Sequence, residues 1–314
     1  MERFKKSFLV FLGMLSLAGC LSLPPAWAKD PIKVFVSIAP QKYFVQQIGK
    51  DLVDVQVMVD PGASPATYEP KPRQMVAISK TILYFSIGVP FEHTWLKKLA
   101  STNPNMRIVY TDHGIGKFPI SIHHHYDENE HHKGAEYYEK NDYAHKTDHY
   151  EHGIPDPHIW LSPPLVMMQA RSILMALQEV DPSHRSAYEV NYKTFISELL
   201  DLDAELRNIF FGKHGLQFMV FHPAWGYFAH TYGLKQVPIE IEGKDPKPAQ
   251  LGELIRHAKE SNIKVIFVQP QFSTKSAQQV AKEIGGQIVF ANPLAENWME
   301  NLREQAEKFR TTLR

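Results

Sequence analysis

Cysteine is nearly absent from this sequence, with one residue in 314, and its scarcity excludes several kinds of site. A single cysteine cannot form an internal disulfide, a four-cysteine zinc site or a CxxC redox motif. An excess of one charge sign is also lacking, because 34 Lys and Arg residues balance 34 Asp and Glu residues. Nucleic-acid-binding proteins usually carry a basic excess or a basic stripe, so the sequence predicts no nucleic-acid partner.

Nucleotide-binding and hydrolase motifs are missing as well, since no GxGxxG, GxxxxGKS/T, GxSxG or HExxH pattern occurs. A metal-dependent hydrolase needs a general base beside its metal, and no motif supplies one. The sequence therefore predicts a protein that is not an enzyme. A zinc hydrolase is the contrasting alternative, which a lack of activity on model esters would exclude. The residue that is abundant is histidine, with 16 positions.

The first 28 residues have the pattern of an export signal. A basic start, Met1–Lys6, precedes the apolar stretch Ser7–Ala18, which is too short to span a bilayer. Two processing alternatives stay open. Leu17–Cys20 (LAGC) resembles a bacterial lipobox, which would make Cys20 an acylated first residue, whereas Ala26–Ala28 (AWA) fits ordinary cleavage. With either, we expect an exported protein in the periplasm or on the outer face of the cytoplasmic membrane, lipid-anchored in the first case.

Short β-branched segments alternate with helical segments along the rest of the chain. Strands are predicted at 32–38, 54–59, 82–87 and 107–110, and again at 217–221, 235–239, 264–268 and 287–290. A long predicted helix, 183–210, separates the two groups. Strands that alternate with helices form mainly parallel sheets covered on both faces. The sequence therefore predicts an α/β fold of two small doubly wound parallel-sheet lobes, joined by one long helix, with a ligand cleft between them.

The predicted organisation has four parts: a signal segment at 1–28, an N-terminal α/β lobe at 29–180, a connecting long helix at 181–212 and a C-terminal α/β lobe at 213–314. A polar stretch without helical or strand period, 112–157, interrupts the N-terminal lobe. Eight histidines of this His-rich loop are His123, His124, His125, His131, His132, His145, His149 and His152. Interleaved acidic residues make the loop a predicted multidentate surface for Zn²⁺ or another divalent metal.

Two further histidines occupy positions from which a side chain can project into the predicted cleft. His158 follows the His-rich loop, and His222 lies directly after a predicted strand and before a helix. Ligands of open α/β sheets bind beyond the carboxyl ends of the strands. A lone histidine is usually a packing residue, but two at equivalent exits of two lobes indicate a shared metal site.

Several segments together resemble one protein family, and their positions are 61–65 with 68–70, 156–163, 222–226 with 232–234, 241–251, 269–273 and 292–294. They are similar to the zinc and manganese ABC-transporter solute-binding proteins, and the His-rich loop is typical of the zinc-uptake type. The resemblance covers residues 30–314. It implies a monomer that captures a divalent metal, zinc before manganese or another metal, and delivers it to a permease subunit in the membrane.

The ligand positions of that family are incomplete in this sequence. The family has a ligand histidine after Pro65, where this sequence has Ala66, and usually an acidic ligand where it has Asn292. The resemblance therefore implies a site of His158 and His222 with the weaker amide of Asn292. Zn²⁺ prefers four ligands, and two neutral imidazoles leave its charge uncompensated.

Acidic residues are the candidates for completing the site. Glu69 is the candidate in the first ligand loop, and the others are Glu92, Glu240 and Glu242. Two functions remain as alternatives. The first is a receptor that holds the metal in the cleft. The second is a zinc buffer or metallochaperone that works through the His-rich loop and has a vestigial cleft site.

Overall fold

The computed structural model describes residues 30–120, 154–240 and 244–313. The strands of this part of the chain are β1 Ile32–Val36, β2 Val53–Val57, β3 Leu83–Ser86, β4 Arg107–Tyr110, β5 Gln217–Val220, β6 Lys235–Pro238, β7 Val265–Val268 and β8 Gln287–Phe290. The helices are α1 Ala39–Gly49, α2 Pro72–Ile78, α3 Pro90–Thr102, α4 Pro163–Val180, α5 Arg185–Ile209, α6 Gly226–Thr231, α7 Pro248–Glu260, α8 Lys275–Glu283 and α9 Trp298–Thr312. The predicted elements are present, with ends that differ by a few residues.

The strands form two four-stranded parallel sheets with the same winding. Their orders are β2-β1-β3-β4 and β6-β5-β7-β8. In each sheet the chain starts in the middle, moves to one side and then crosses to the other. A crevice therefore opens beyond the carboxyl ends of β1 and β3 in one sheet, and of β5 and β7 in the other.

Buried apolar strands hold both sheets in the protein interior. β3 and β7 are buried along their whole length, as expected for parallel strands covered on both faces. A single hydrophobic cluster runs from the first sheet, where it includes Phe85, to Phe218 and Phe267 of the second sheet. A second cluster lies in the C-terminal half, around Met219 and Leu254. The two sheets thus share a core, and Pro31–Arg314 forms one compact unit.

The long helix predicted between the lobes is α5, about 37 Å in length at 1.5 Å per residue. It packs along α4 and also contacts α1 and α9, so it joins elements from both halves of the chain. Asp181 stabilises the turn before it by accepting hydrogen bonds from the side chains of Ser183 and Tyr188, at 2.6 and 2.9 Å. The predicted boundaries of the two lobes and of the connecting helix stay a prediction.

The ends of the predicted polar stretch pair with each other. Pro119 and Pro155 form an antiparallel bridge, and the Ile120 N–H donates to the Ile154 carbonyl at 2.8 Å. The eight histidines of the His-rich loop lie outside the described residues, as do the export signal with Cys20, and Glu242. Within the described ranges, no helix combines the length and apolar character that a membrane crossing requires.

Candidate metal centre

His222 follows β5, at the crevice of the second sheet, and its backbone is held by a neighbouring amide side chain. The His222 N–H donates to Gln269 Oε1 at 3.2 Å, and Gln269 Nε2 donates to the His222 carbonyl at 2.6 Å. Gln269 follows β7 and is fully buried. The ring of Phe272 stacks on the imidazole with centroids 4.8 Å apart. These contacts fix both the backbone and the ring of His222.

His158 comes from the segment that leads into α4, and several hydrogen bonds fix this segment. Asp156 Oδ1 accepts the His158 N–H at 2.9 Å, which is the turn that an Asp side chain forms two residues before its donor. Tyr227 donates its hydroxyl to the Asp156 carbonyl at 3.0 Å. Trp160 donates its indole N–H to the Pro293 carbonyl at 2.7 Å. Because Tyr227 and Pro293 belong to the C-terminal half, these bonds hold His158 against it.

A carboxylate fixes the tautomer of each imidazole. Nδ1 of His158 lies 2.6 Å from Asp156 Oδ1, and Nδ1 of His222 lies 2.6 Å from Glu240 Oε1. An ionised carboxylate only accepts hydrogen bonds, so each Nδ1 carries the proton. In the neutral imidazole the lone pair is then on Nε2, the arrangement in which a carboxylate orients a metal-binding histidine.

The two Nε2 atoms face each other at 3.3 Å. Two lone pairs at this distance repel each other unless a proton or a cation lies between them. Zn–N bonds of about 2.0–2.1 Å at a tetrahedral angle require an N···N separation of roughly 3.3–3.4 Å. The spacing of His158 and His222 therefore matches two positions of a tetrahedral zinc site.

The charge around the pair also fits a cation. Asp156 and Glu240 are 0% and 5% exposed, and the second oxygen of each carboxylate is buried without a hydrogen-bond partner among the described residues. Two buried carboxylates with free oxygens are costly unless positive charge comes close. Burial lowers the pKa of His158, although the negative charge of Asp156 opposes this effect. A lowered pKa keeps its Nε2 available as a ligand at neutral pH.

A cavity of about 280 Å³ opens in front of the histidine pair. Both His158 and His222 line it, together with residues of the N-terminal half such as Ala66, His93 and Lys117. Its walls are mainly apolar. The predicted cleft is therefore present, and the imidazoles of His158 and His222 both open into it.

Several predicted ligands are not brought to this pair. Asn292 lines an adjoining cavity, where its Oδ1 accepts from Gln271 Nε2 at 3.2 Å and from the Leu294 N–H at 3.0 Å. Glu69 is exposed and does not line the cavity of the histidines. In the described part of the chain, no three His, Cys, Asp or Glu side chains form a group that could hold a metal ion.

The other acidic candidates have different roles. Glu92 is buried under the wall of the cavity, where it accepts from the backbone N–H groups of Ile87 at 3.0 Å and Gly88 at 2.8 Å, and from the Ser37 hydroxyl. Glu240 approaches His222 from behind and binds its Nδ1. The negative charge of Glu240 thus lies behind the imidazole of His222, on the side of the ring away from His158.

The sequence did not lead us to two supporting residues, Asp156, which binds Nδ1 of His158, and Gln269, which binds the backbone of His222. Asp156 stands two residues before His158, a spacing at which an Asp side chain reaches the backbone N–H. That spacing was a usable signal. The pairing of Gln269 with His222, 47 residues apart, has no signal in a single sequence because it depends on β5 and β7 being neighbours.

Comparisons with known proteins identify the family of the chain. The family model ZnuA, described as zinc-uptake complex component A, periplasmic, matches residues 34–312. The high-affinity zinc uptake system protein ZnuA of Bacillus subtilis is 30% identical over 272 residues, which cover 84% of this chain and 79% of that protein. The zinc-binding lipoprotein AdcA of Streptococcus pneumoniae is 27% identical over 304 residues, or 96% of this chain, which spans 56% of AdcA.

Solved structures share the same fold. A crystal structure of ZnuA is 40% identical with a TM-score of 0.80, covering 91% of this chain and 100% of that one. A zinc-bound deletion mutant of ZnuA is 39% identical with a TM-score of 0.78, covering 90% and 98%. The α/β fold class and the absence of an enzymatic role are confirmed, since this is a family of solute-binding proteins. The chain belongs to the ZnuA family, the periplasmic component A of zinc-uptake complexes.

Proposed function

We propose that this protein is an extracytoplasmic receptor that captures Zn²⁺ between His158 and His222 and delivers it to the permease of an ABC importer. The observation that carries the proposal is the 3.3 Å separation of the two Nε2 atoms, each on an imidazole whose Nδ1 is bound by a buried carboxylate. This geometry suits the reversible binding of a metal ion.

Zinc is the favoured cargo because of the donor type. Imidazole nitrogen suits zinc and other late transition metals, whereas manganese prefers carboxylate, carbonyl and water oxygens. The carboxylates of Asp156 and Glu240 face Nδ1 and leave the metal side to nitrogen. Relatives named as zinc-uptake and zinc-binding proteins support the same choice.

Zinc stoichiometry and affinity test this proposal on three forms of the protein: the intact chain, a deletion of 123–152, and His158→Ala combined with His222→Ala. We expect the double variant to lose the tightest site and the deletion to keep it. The opposite result, tight binding that survives the double alanine and disappears with the deletion, would establish the buffer or metallochaperone alternative. Delivery to a permease is tested by growth under zinc limitation. Cells that contain only the His158→Ala, His222→Ala variant should grow more poorly than cells that contain the unmodified protein.

The N-terminus is part of the same proposal. We infer that Cys20 is acylated after export, so that the receptor stays at the membrane beside its permease. We also infer that the receptor is a monomer. The support is the position of the only cysteine at the end of the LAGC segment. The mass of the N-terminal peptide from membrane-extracted protein tests this inference, because cleavage after Ala28 would leave an unmodified peptide that begins at Lys29.

A further inference from the structure

The histidine pair supplies only half of the ligands that zinc requires. Structural zinc sites are almost always four-coordinate, and open sites keep their remaining positions for water or another molecule. In the described residues, no third His, Cys, Asp or Glu joins His158 and His222 in a common group. Ala66 contributes only a methyl group to the same cavity. Of the four ligands that zinc prefers, the described residues therefore supply two.

The cavity is much larger than two water ligands need. On the volume scale on which the cavity measures about 280 Å³, one water molecule needs only roughly 10–15 Å³. Its walls include Val89, Ile120, Ile154, Phe272 and Leu294, all without a charged group. Apolar walls with a few fixed polar groups are typical of sites for small organic ligands.

A Lys–Asp pair lies in this mainly apolar wall. Lys117 Nζ lies 2.6 Å from Asp112 Oδ2 and 3.4 Å from the Ile87 carbonyl, and an ammonium group has three N–H donors. Gly88, with a φ of +83°, makes room for the pair, because a Cβ at this position would lie 2.3 Å from Nζ and 2.7 Å from Oδ2. Asp112 and the Ile87 carbonyl therefore hold the Lys117 ammonium at the cavity, and Gly88 leaves the space that it occupies.

We propose that the cleft binds zinc together with a small bidentate chelator of the α-amino-acid class. The chelator releases its ammonium proton to solvent, and its amine nitrogen and one carboxylate oxygen then fill the two positions that His158 and His222 leave open. Its side chain packs against the apolar walls, and Lys117 offers a donor to its carboxylate. The inference rests on the proposed function, since it concerns the form in which the same pair binds zinc.

The sign of one measurement distinguishes a co-ligand from a competitor. A chelator that only removes free zinc lowers the apparent affinity of the protein for zinc. A chelator that joins zinc in the cleft stabilises the bound state and raises it, and zinc then raises the affinity for the chelator by the same factor. L-phenylalanine is a suitable probe, because it has both donors and an apolar side chain. 3-Phenylpropionate is its matched control, because it lacks the amine.

The experiment is a zinc titration of the metal-free full chain with and without each probe, with native mass spectrometry to count the bound molecules. We expect L-phenylalanine to tighten zinc binding by roughly tenfold or more and to give a protein–zinc–phenylalanine species, and 3-phenylpropionate to do neither. Ala66→His adds a protein ligand at the open side of the site. In this variant L-phenylalanine should act as a competitor and weaken apparent zinc binding.

The outcomes separate this inference from the receptor proposal. If L-phenylalanine weakens zinc binding of the unmodified chain as it does in Ala66→His, the chelator inference is wrong and the receptor proposal stands. If the His158→Ala, His222→Ala double variant binds zinc as tightly as the unmodified chain, with or without L-phenylalanine, both are wrong. A ternary species that persists in the double variant would also overturn the chelator inference.

Discussion

His222 donates its Nδ1 proton to Glu240, 2.6 Å away and 18 residues along the chain, and this bond directs its Nε2 towards His158. Carboxylates behind metal-binding histidines raise the basicity of the imidazole and fix its orientation. Under the proposed function they have a second role, because Asp156 and Glu240 would bring two negative charges close to the Zn²⁺ held by the histidines. The electrostatics of the candidate site thus depend on residues that do not touch the metal.

Glu240→Gln is expected to weaken zinc binding by about 10- to 100-fold, because the amide keeps the shape of the side chain but removes its charge. The measurement is a zinc competition titration. Glu283→Gln, an exposed position on α8, serves as the matched control and should leave zinc affinity unchanged. A Glu240→Gln variant that binds zinc like the control would contradict a role for this carboxylate.

Two glycines in helices give a second matched pair. A Cβ on Gly226 would lie 2.9 Å from Asp156 Oδ2 and 3.3 Å from the ring of Phe118, whereas a Cβ on Gly252 would meet nothing within 4 Å. Gly226→Ala is therefore expected to destabilise the protein by about 1–3 kcal/mol and to weaken zinc binding by displacing the partner of His158. Gly252→Ala, in the middle of α7, should raise stability by up to about 1 kcal/mol.

Urea unfolding and zinc titration of both glycine variants check this prediction. Equal stability changes in the two variants would show that the contact with Asp156 carries no energetic cost.

The fold was predictable from the sequence because its signals are local. Strands such as 107–110 and 287–290 are short runs rich in β-branched and aromatic residues, and helices such as α7 have an apolar stripe at helical spacing, so their places were correct within a few residues. The two histidines were also predictable, since each stands beside an element end that faces a cleft. The orientation of His158 had a local signal in Asp156, whereas the orientation of His222 had none, because its partner Glu240 belongs to a loop that only the folded sheet brings near.

Asn292 is a predicted ligand whose side-chain direction was only partly predictable from the sequence. Its position before Pro293 suggested a ligand, but its side chain turns to Gln271 and to the Leu294 N–H in the adjoining cavity. The bond from the Leu294 N–H has the same two-residue spacing as the Asp156 turn, so this part of the orientation has a local signal. The contact with Gln271, 21 residues away, has none.

The contrast between Ala66 and Asn292 yields a third prediction. Both positions depart from the ligands of the family that the sequence resembles, but only position 66 lines the cavity of the histidine pair. Ala66→His alone should tighten zinc binding by roughly tenfold or more, about 1.4 kcal/mol, because position 66 lines the histidine cavity. Asn292→Asp alone should change it little. Competition titrations of the two single variants test this, and a gain confined to Asn292→Asp would contradict it.

Glu92 gives a prediction for stability against pH. Burial raises the pKa of this carboxyl from 4.5 to about 7, although hydrogen bonds from the Ser37 hydroxyl and the Ile87 and Gly88 N–H groups oppose the shift. Because the folded state holds the proton more tightly, stability from this group is full below about pH 4.5 and is lost as pH rises through about 7. At 1.36 kcal/mol per pKa unit, the total is about 3 kcal/mol.

Glu92→Gln has the shape of the protonated acid, with an amide group that can donate to Ser37 and an oxygen that can accept from Gly88. The metal-free variant should therefore match the unmodified protein near about pH 5 and exceed it in stability by about 2–3 kcal/mol near about pH 8. Urea midpoints of both proteins at the two pH values measure the difference, and Glu283→Gln controls for the loss of a surface charge. If the difference between Glu92→Gln and the unmodified protein were the same at both pH values, Glu92 would not be the group that titrates, because only a proton bound differently by the folded and unfolded states can make that difference depend on pH.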